Sequence, residues 1–168
     1  MAITIPDGLF DIYNEAVAEM LRVFGVQCTL VYPPEKQACN NCVSSGIGGI
    51  SNNVYRHGGP ARFSIGNCPL CGGSGWKEIE NTGTVRLRVY WTEKDWKKIS
   101  YPSLQIPDGA IMTLGNLHDL PKLTACNDLL VNTAQNGYMN WRYSLAGEPF
   151  THGFGKDKWC AAFWKREG

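Results

Sequence analysis

The chain reads as mainly β: a small antiparallel barrel or sandwich, with an N-terminal α-helix and an irregular insertion stapled by zinc. Three observations carry this reading. From residue 82 to the end, short apolar segments of strand length recur with turn residues between them. Ahead of them stands one amphipathic helical stripe, at 7–24. Between the two lies a segment rich in Gly, Asn, Ser and Pro, 33–77, which holds two Cys-x-x-Cys pairs. At 168 residues the chain fits a single domain with a sizeable core.

The helix comes first. Asp7 stands as N-cap after Pro6, and Gly25 sits where a C′ glycine belongs. Between them Leu9, Ile12, Tyr13, Ala16, Val17, Met20, Leu21 and Phe24 recur at spacings of three and four, one continuous apolar stripe suited to packing on a sheet. "VQCTLVYPP" then reads as a strand leading into the insertion. After the insertion, "TGTVRLRVYWT" alternates Val85, Leu87, Val89 and Trp91 against Arg86, Arg88 and Tyr90. The basic face tracks phosphates, meets another protein or is simply solvated. "EKDWKKI" is a short helical turn or a polar excursion. "DGAIMTLG" and "NDLLVNT" are strands, and "QNGY" carries an Asn-Gly turn signal. "MNWRYSLAG" alternates Trp141, Tyr143 and Leu145 against Arg142 and Ser144. "KWCAAFWKR" is a final apolar strand.

The insertion carries the chemistry. "CNNC" at Cys39 and Cys42 and "CPLC" at Cys68 and Cys71 are separated by 25 residues, 43–67, a little longer than common zinc spacings. A structural zinc site needs four soft ligands at about 2.3 Å, and each pair supplies two from one tight turn. The glycines after Cys71 can take φ > 0, letting backbone N–H groups turn back toward the sulfurs. Long structureless loops are uncommon unless something holds them, and a metal joining both ends of this one would be that constraint. "RFSIG" is the expected hairpin between the knuckles. A thioredoxin-like pair would open a helix, and neither pair here is followed by a helical pattern. Catalytic zinc keeps an open position, whereas four cysteines close the shell; His57 lies within the segment as a substitute ligand. The site is read as a staple: Zn²⁺ on Cys39, Cys42, Cys68 and Cys71.

Elsewhere reactive residues are sparse. Cys28, Cys126 and Cys160 lie in or beside apolar strands, the setting of core filler. His118 stands beside Asp119, but adjacent residues are expected to point apart, and His152 lies in a glycine-rich turn. No serine-hydrolase, zinc-protease or phosphate-loop motif is present, so an enzyme is not expected. The net charge of +1 gives no strong attraction to nucleic acid or anionic membranes. No apolar run approaches the roughly 20 residues that span a bilayer. The N-terminus lacks a basic, then apolar, secretion signal, which points to synthesis in the cytosol, where structural disulfides are rare.

"CPLCGGSG" resembles one unit of the cysteine-glycine repeats of J-domain chaperones, but it is a single unit with no J-domain helix pair. The order of elements from Thr84 onward resembles the barrel of tailed-phage neck proteins, the head-completion or stopper proteins that close the portal after DNA packaging. The pieces are "VRLRVYW", the charged turn "TEKDWKKI", "DGAIMTLG", "HDLPKLTACNDLLVN" and "YSLAGEP". Asp119 matches the polar turn before a short apolar strand, Asp128–Val131 that strand, and Gly147–Pro149 the end of the following hairpin. The resemblance implies a virion structural protein in the neck, assembled in the host cytoplasm as a homo-oligomeric ring between portal or adaptor and tail proteins. It places packaged DNA within reach, and no membrane or small-molecule substrate. The zinc segment and the long helix are departures from that family; the former would stiffen a surface for a neighbouring ring. A zinc-ribbon nucleic-acid-binding protein, with Arg56, Arg62, Arg86 and Arg88 on phosphates, is the alternative, and a metal-dependent enzyme with an open zinc position is a third.

Overall fold

A computed structural model describes residues 7–45, 49–96, 109–132, 140–153 and 158–166. The chain divides into two compact units, Met1–Tyr32 with Thr82–Gly168, and Pro33–Asn81. The first is a β-structure with helix α1 (Asp7–Phe24). Its strands are β5 (Ile111–Asn116), β6 (Asp128–Asn132), β7 (Asn140–Leu145), β8 (Phe150–His152) and β9 (Trp159–Arg166), with the first part of β1 (Val26–Ala38) and the last part of β4 (Trp76–Tyr90); the remainder of those two strands, with β2 and β3, belongs to the second unit. A short helix α2 (Glu93–Trp96) follows β4, and a 3₁₀ turn (Leu117–Asp119) runs into α3 (Leu120–Ala125).

The antiparallel sheet runs β5-β4-β1-β6-β7-β9-β8, and β5 also pairs with β9. That extra ladder, from Ile111↔Trp164 to Asn116↔Trp159, closes the sheet into a barrel. On its opposite edge β9 pairs with β7 over Trp164–Arg166 and with β8 over Trp159–Ala161. β5 and β9 are buried on both faces, one turned into the barrel core and the other covered where α1 packs, which explains their continuous apolar runs. Alternation sorts β9: Cys160, Ala162 and Trp164 join the barrel core with Leu30, Leu87, Leu129 and Tyr143, whereas Trp159 and Ala161 meet the helix. Trp164, fully buried, donates its indole N–H to Thr113 Oγ1 at 2.8 Å, so its one polar atom is satisfied. Leu123 and Cys126 add α3 and its end to the same core.

The expected strands at "VRLRVY", "AIMTLG", "DLLVN", "WRYSL" and "WCAAFW" are all present. Trp91, read as sharing a strand face with Val85, Leu87 and Val89, lies past the end of β4 and is exposed. The "QNGY" turn falls outside the described residues, as does the Asp7 side chain. The helical stripe is buried only in part. Val17 and Leu21, with half-buried Tyr13 and Met20, pack on Leu114, Trp159 and Ala161, while Leu9, Ile12 and Phe24 face solvent. The barrel's outer wall is curved, and it touches the narrow line i, i+4, i+7, i+8 rather than the full stripe. Asn14 joins that contact by accepting the Trp159 indole N–H at 3.0 Å.

Gly25 ends α1 as expected, its N–H bonded to Leu21 O at 2.9 Å, but it does not adopt a left-handed φ. A Cβ there would stand 2.2 Å from Leu21 O and about 3 Å from the Arg86 side chain, so glycine is required for space. Gly115 is similar within the barrel: a Cβ would meet Leu87 Cδ2 at 2.6 Å. Gly115→Ala should therefore destabilise the fold by about 1–3 kcal/mol through overpacking. In urea unfolding, adding Leu87→Ala should recover part of that loss, so that the double variant costs less than the sum of the singles.

Candidate metal centre

The second unit is built around the two Cys-x-x-Cys turns. β1 continues through Pro33 to Ala38 and stops at Cys39; the short β2 (Cys42–Ser44) pairs with β3 (Ser51–Tyr55); and β4 begins at Trp76, just after Cys71. The insertion is thus more regular than its composition suggests, because Pro is tolerated where a strand has no partner for its N–H. The hairpin between the knuckles is β2–β3, not "RFSIG". That stretch has no strand and supplies Phe63, which packs on the cysteines and meets Tyr55 edge-on at 6.1 Å.

The four sulfurs Cys39, Cys42, Cys68 and Cys71 lie within 4.8 Å of one another. Cys39 Sγ is 3.9 Å from Cys68 Sγ, and Cys42 Sγ is 3.7 Å from Cys71 Sγ. An ion held tetrahedrally at 2.3 Å requires sulfur–sulfur edges of about 3.8 Å, so the spacing fits. All seven cysteines are free thiols. The residues therefore suit a soft metal ion, and four thiolates would complete its shell.

The local chain explains the convergence. Gly72, Gly73 and Gly75 have φ of 61°, 94° and 80°, the left-handed turns that the sequence predicts after Cys71. They bring the N–H groups of Gly73 and Gly75 to the Cys71 sulfur, while those of Leu70 and Cys71 point at Cys68. The ends of the two long strands are tied beside the site by Cys39 N–H donating to Gly75 O at 2.8 Å. Trp76 lies so close to Gly49 that a Cβ there would be 2.3 Å from its ring, so the chain entering β3 packs on the residue that follows the second knuckle.

Electrostatics separates the knuckles. Burial raises the Cys42 thiol to about 12, overcoming a hydrogen bond with Ser51 that works the other way. Burial also opposes ionisation of Cys68, but the Asn41 amide and the two backbone N–H groups outweigh it and bring the thiol down to about 6. Cys71 is lowered too: burial resists, and the N–H groups of Gly75 and Gly73 prevail. The second knuckle is thus prepared to hold negative charge, whereas Cys42 keeps its proton until a cation displaces it.

Several functional neighbours escaped the sequence reading. Asn41, fully buried, donates Nδ2 to Ala61 O at 2.8 Å and to Cys68 Sγ at 3.4 Å, and accepts from Ala61 N–H at 2.8 Å. It fixes a loop and a ligand at once. Its place inside "CNNC" was the available signal. Ser51 serves Cys42, and Asn53, at φ 52°, accepts from Cys68 N–H at 3.4 Å. A groove of about 590 Å³ adjoins Cys71, lined also by Lys36, Leu70, Ser74, Trp76, Lys77 and Glu78.

The arginines read as a phosphate face are placed differently. Arg56 and Arg62 are exposed in the second unit. Arg86 and Arg88 belong to the first, where Arg86 donates to Leu21 O at 3.2 Å and Arg22 O at 2.9 Å, and Arg88 to Phe24 O at 3.5 Å. They cap the carbonyl end of α1. The Arg88 guanidinium also lies 5.0 Å from the Phe24 ring centre and 5.5 Å from that of Tyr90. His57 is exposed in a turn and is not among the clustered ligands. His118 and Asp119, expected to diverge, meet at 3.3 Å, because the 3₁₀ turn curls the exposed imidazole back over a buried carboxylate that also binds Lys122 at 2.7 Å. His152 Nε2 lies 3.3 Å from Tyr13 Oη. Cys28, Cys126 and Cys160 are buried core thiols, pushed by burial to about 12, 11 and 12.

Compared with known proteins, the chain matches no family model, no curated protein and no solved structure.

If the four cysteines hold a soft metal ion, Asn41→Ala should weaken the affinity for added Zn²⁺ about 10–100-fold in competition with a chromophoric chelator, the usual effect of losing a residue that orients a ligand. Asn40→Ala, at an exposed position next door, should leave it nearly unchanged. In the metal-free chain Cys68 is held below its ordinary value near 9, so its contribution to stability is complete above that pH. That contribution should fade as the pH falls through about 6, visible as a drop in thermal midpoint across this window.

Proposed function

We propose that this chain is a structural assembly protein, a non-enzymatic ring component of a tailed-phage head-to-tail neck whose Pro33–Asn81 unit is stapled by zinc. The observation that carries the reading is how this unit treats its apolar side chains. Ile50, Val54, Ile65, Trp76 and Ile79 are all exposed, Ile65 at 92%, on a unit whose buried centre is the cysteine cluster. Apolar groups displayed on a rigid, metal-held frame suit a surface meant for another protein. The ion in this reading is zinc, the usual occupant of closed four-cysteine structural sites; a tetrahedron of four sulfurs also suits iron, and a colourless purified protein would separate the two.

The order of elements adds support. The Asp119 turn precedes β6 at Asp128–Asn132, and the chain leaves β7 through Gly147 and Pro149, in the sequence of pieces that the neck resemblance calls for. In this reading the copies form a closed ring between portal or adaptor and tail proteins in the virion, and modest interfaces repeated around the ring supply avidity. The nucleic-acid reading draws less support, since Arg86 and Arg88 already donate to helix carbonyls.

Native mass spectrometry of the purified protein, with metal analysis, tests this. One zinc per chain and a ring-sized oligomer without nucleic acid are expected. Val54→Asp with Ile65→Asp should shift the population toward monomer with little change in thermal midpoint, because both side chains are exposed. A zinc-bound monomer that binds single-stranded DNA, with affinity falling steeply as salt rises, would count against the assembly reading and for the alternative.

A further inference from the structure

We infer that Cys71 is the oxidation-sensitive ligand of the metal centre, and that a peroxide joins it to Cys42 in a disulfide that expels the metal while keeping the two knuckles tied. The inference rests on the reading of the four cysteines as a metal centre. Three of the four are buried; Cys71 is partly exposed and lines the groove with Leu70 and Trp76. A small electrophile entering the groove therefore meets one sulfur of the set. The chain's other thiols, Cys28, Cys126 and Cys160, lie in the barrel core, out of its reach.

The chemistry proceeds in two displacements. The Cys71 thiolate attacks the peroxide: an S–O bond forms, the O–O bond breaks and hydroxide leaves, giving a sulfenic acid. Cys42, whose sulfur is 3.7 Å away, then attacks the Cys71 sulfur as the thiolate. The S–S bond forms, the S–O bond breaks and a second hydroxide leaves; both hydroxides take protons from solvent. Two sulfurs are oxidised and one peroxide is reduced to two waters.

The partner matters as much as the target. Cys42 and Cys71 belong to different knuckles, so their disulfide closes the same loop that the metal closes. A bridge within one Cys-x-x-Cys pair would instead free the knuckles from each other. After oxidation only Cys39 and Cys68 remain as thiolates, half of the ligand set, and the ion is lost; a dithiol reductant restores all four.

The full-length protein, its zinc content measured beforehand, is titrated with hydrogen peroxide while a chromophoric chelator reports released zinc. Disulfides are mapped by mass spectrometry after free thiols are blocked. The expected first bridge is Cys42–Cys71, forming with zinc release, reversed by dithiothreitol, with the three core thiols unmodified. Leu70→Ala, which widens the groove while keeping the backbone N–H that points at Cys68, should speed release several-fold. A first bridge within either knuckle, prior modification of a core thiol, zinc retained at complete peroxide consumption, or an unchanged rate in Leu70→Ala would overturn the proposal. A protein that holds no metal before peroxide is added overturns the metal centre itself, which separates the two failures.

Discussion

Four sulfur atoms must be brought within van der Waals reach of one another for the Pro33–Asn81 unit to have an interior at all. Its buried side chains among the described residues are Cys39, Asn41, Cys42, Ser51 and Cys68, with no aliphatic or aromatic group among them. Burial of apolar area therefore contributes little to its order. Polar groups supply that order instead. N–H donors surround the second knuckle, Asn41 links a loop to a ligand, and Gly75 ties strand end to strand end. These contacts place sulfurs, and an ion binding those sulfurs converts its affinity into folding free energy. Small units without a core depend on such cross-links generally.

The barrel relies on the opposite principle. Its interior is apolar and continuous from Leu30 to Trp164, and the β5–β9 ladder pairs the edge of β5 that would otherwise remain open. Trp164 and Thr113 pair their polar atoms inside it. Where the wall meets solvent it uses charge: Arg142 binds Asp128 at 2.6 Å, and the Arg166 guanidinium lies 3.3 Å from the centre of the Trp141 ring.

What could be read from the sequence follows the same division. Strand periodicity is a local property, so Val85, Leu87 and Val89, or Trp141, Tyr143 and Leu145, announce their faces without tertiary knowledge. The cysteine spacing is equally local, and it identified all four clustered residues. Other features depend on which surfaces meet. Leu9 and Ile12 share a helical stripe with Val17 and Leu21, and only the curvature of the wall decides that the first two stay in water. Arg86 and Arg88 look like a free basic face until the carbonyl end of α1 is placed beside them. His118 and Asp119 diverge in a strand and converge in a 3₁₀ turn, so the outcome hung on an element that the sequence did not announce. Asn41 acts through Ala61, twenty positions away, and no spacing rule joins those two.

The route of the chain between its two units has a consequence for descent. It leaves the barrel unit at Tyr32 on β1 and returns at Thr82 on β4, two strands that are already neighbours in the sheet. Topologically the whole cysteine-bearing unit is therefore the loop of one antiparallel hairpin. A tight turn joining the same two strands would preserve the strand order, the β5–β9 closure and the buried ring of Leu30, Leu87 and Leu129. Gaining or losing the four-cysteine unit thus requires a change at one hairpin only. A lineage built on this barrel could vary the length and chemistry of that loop while the frame carrying it stays the same.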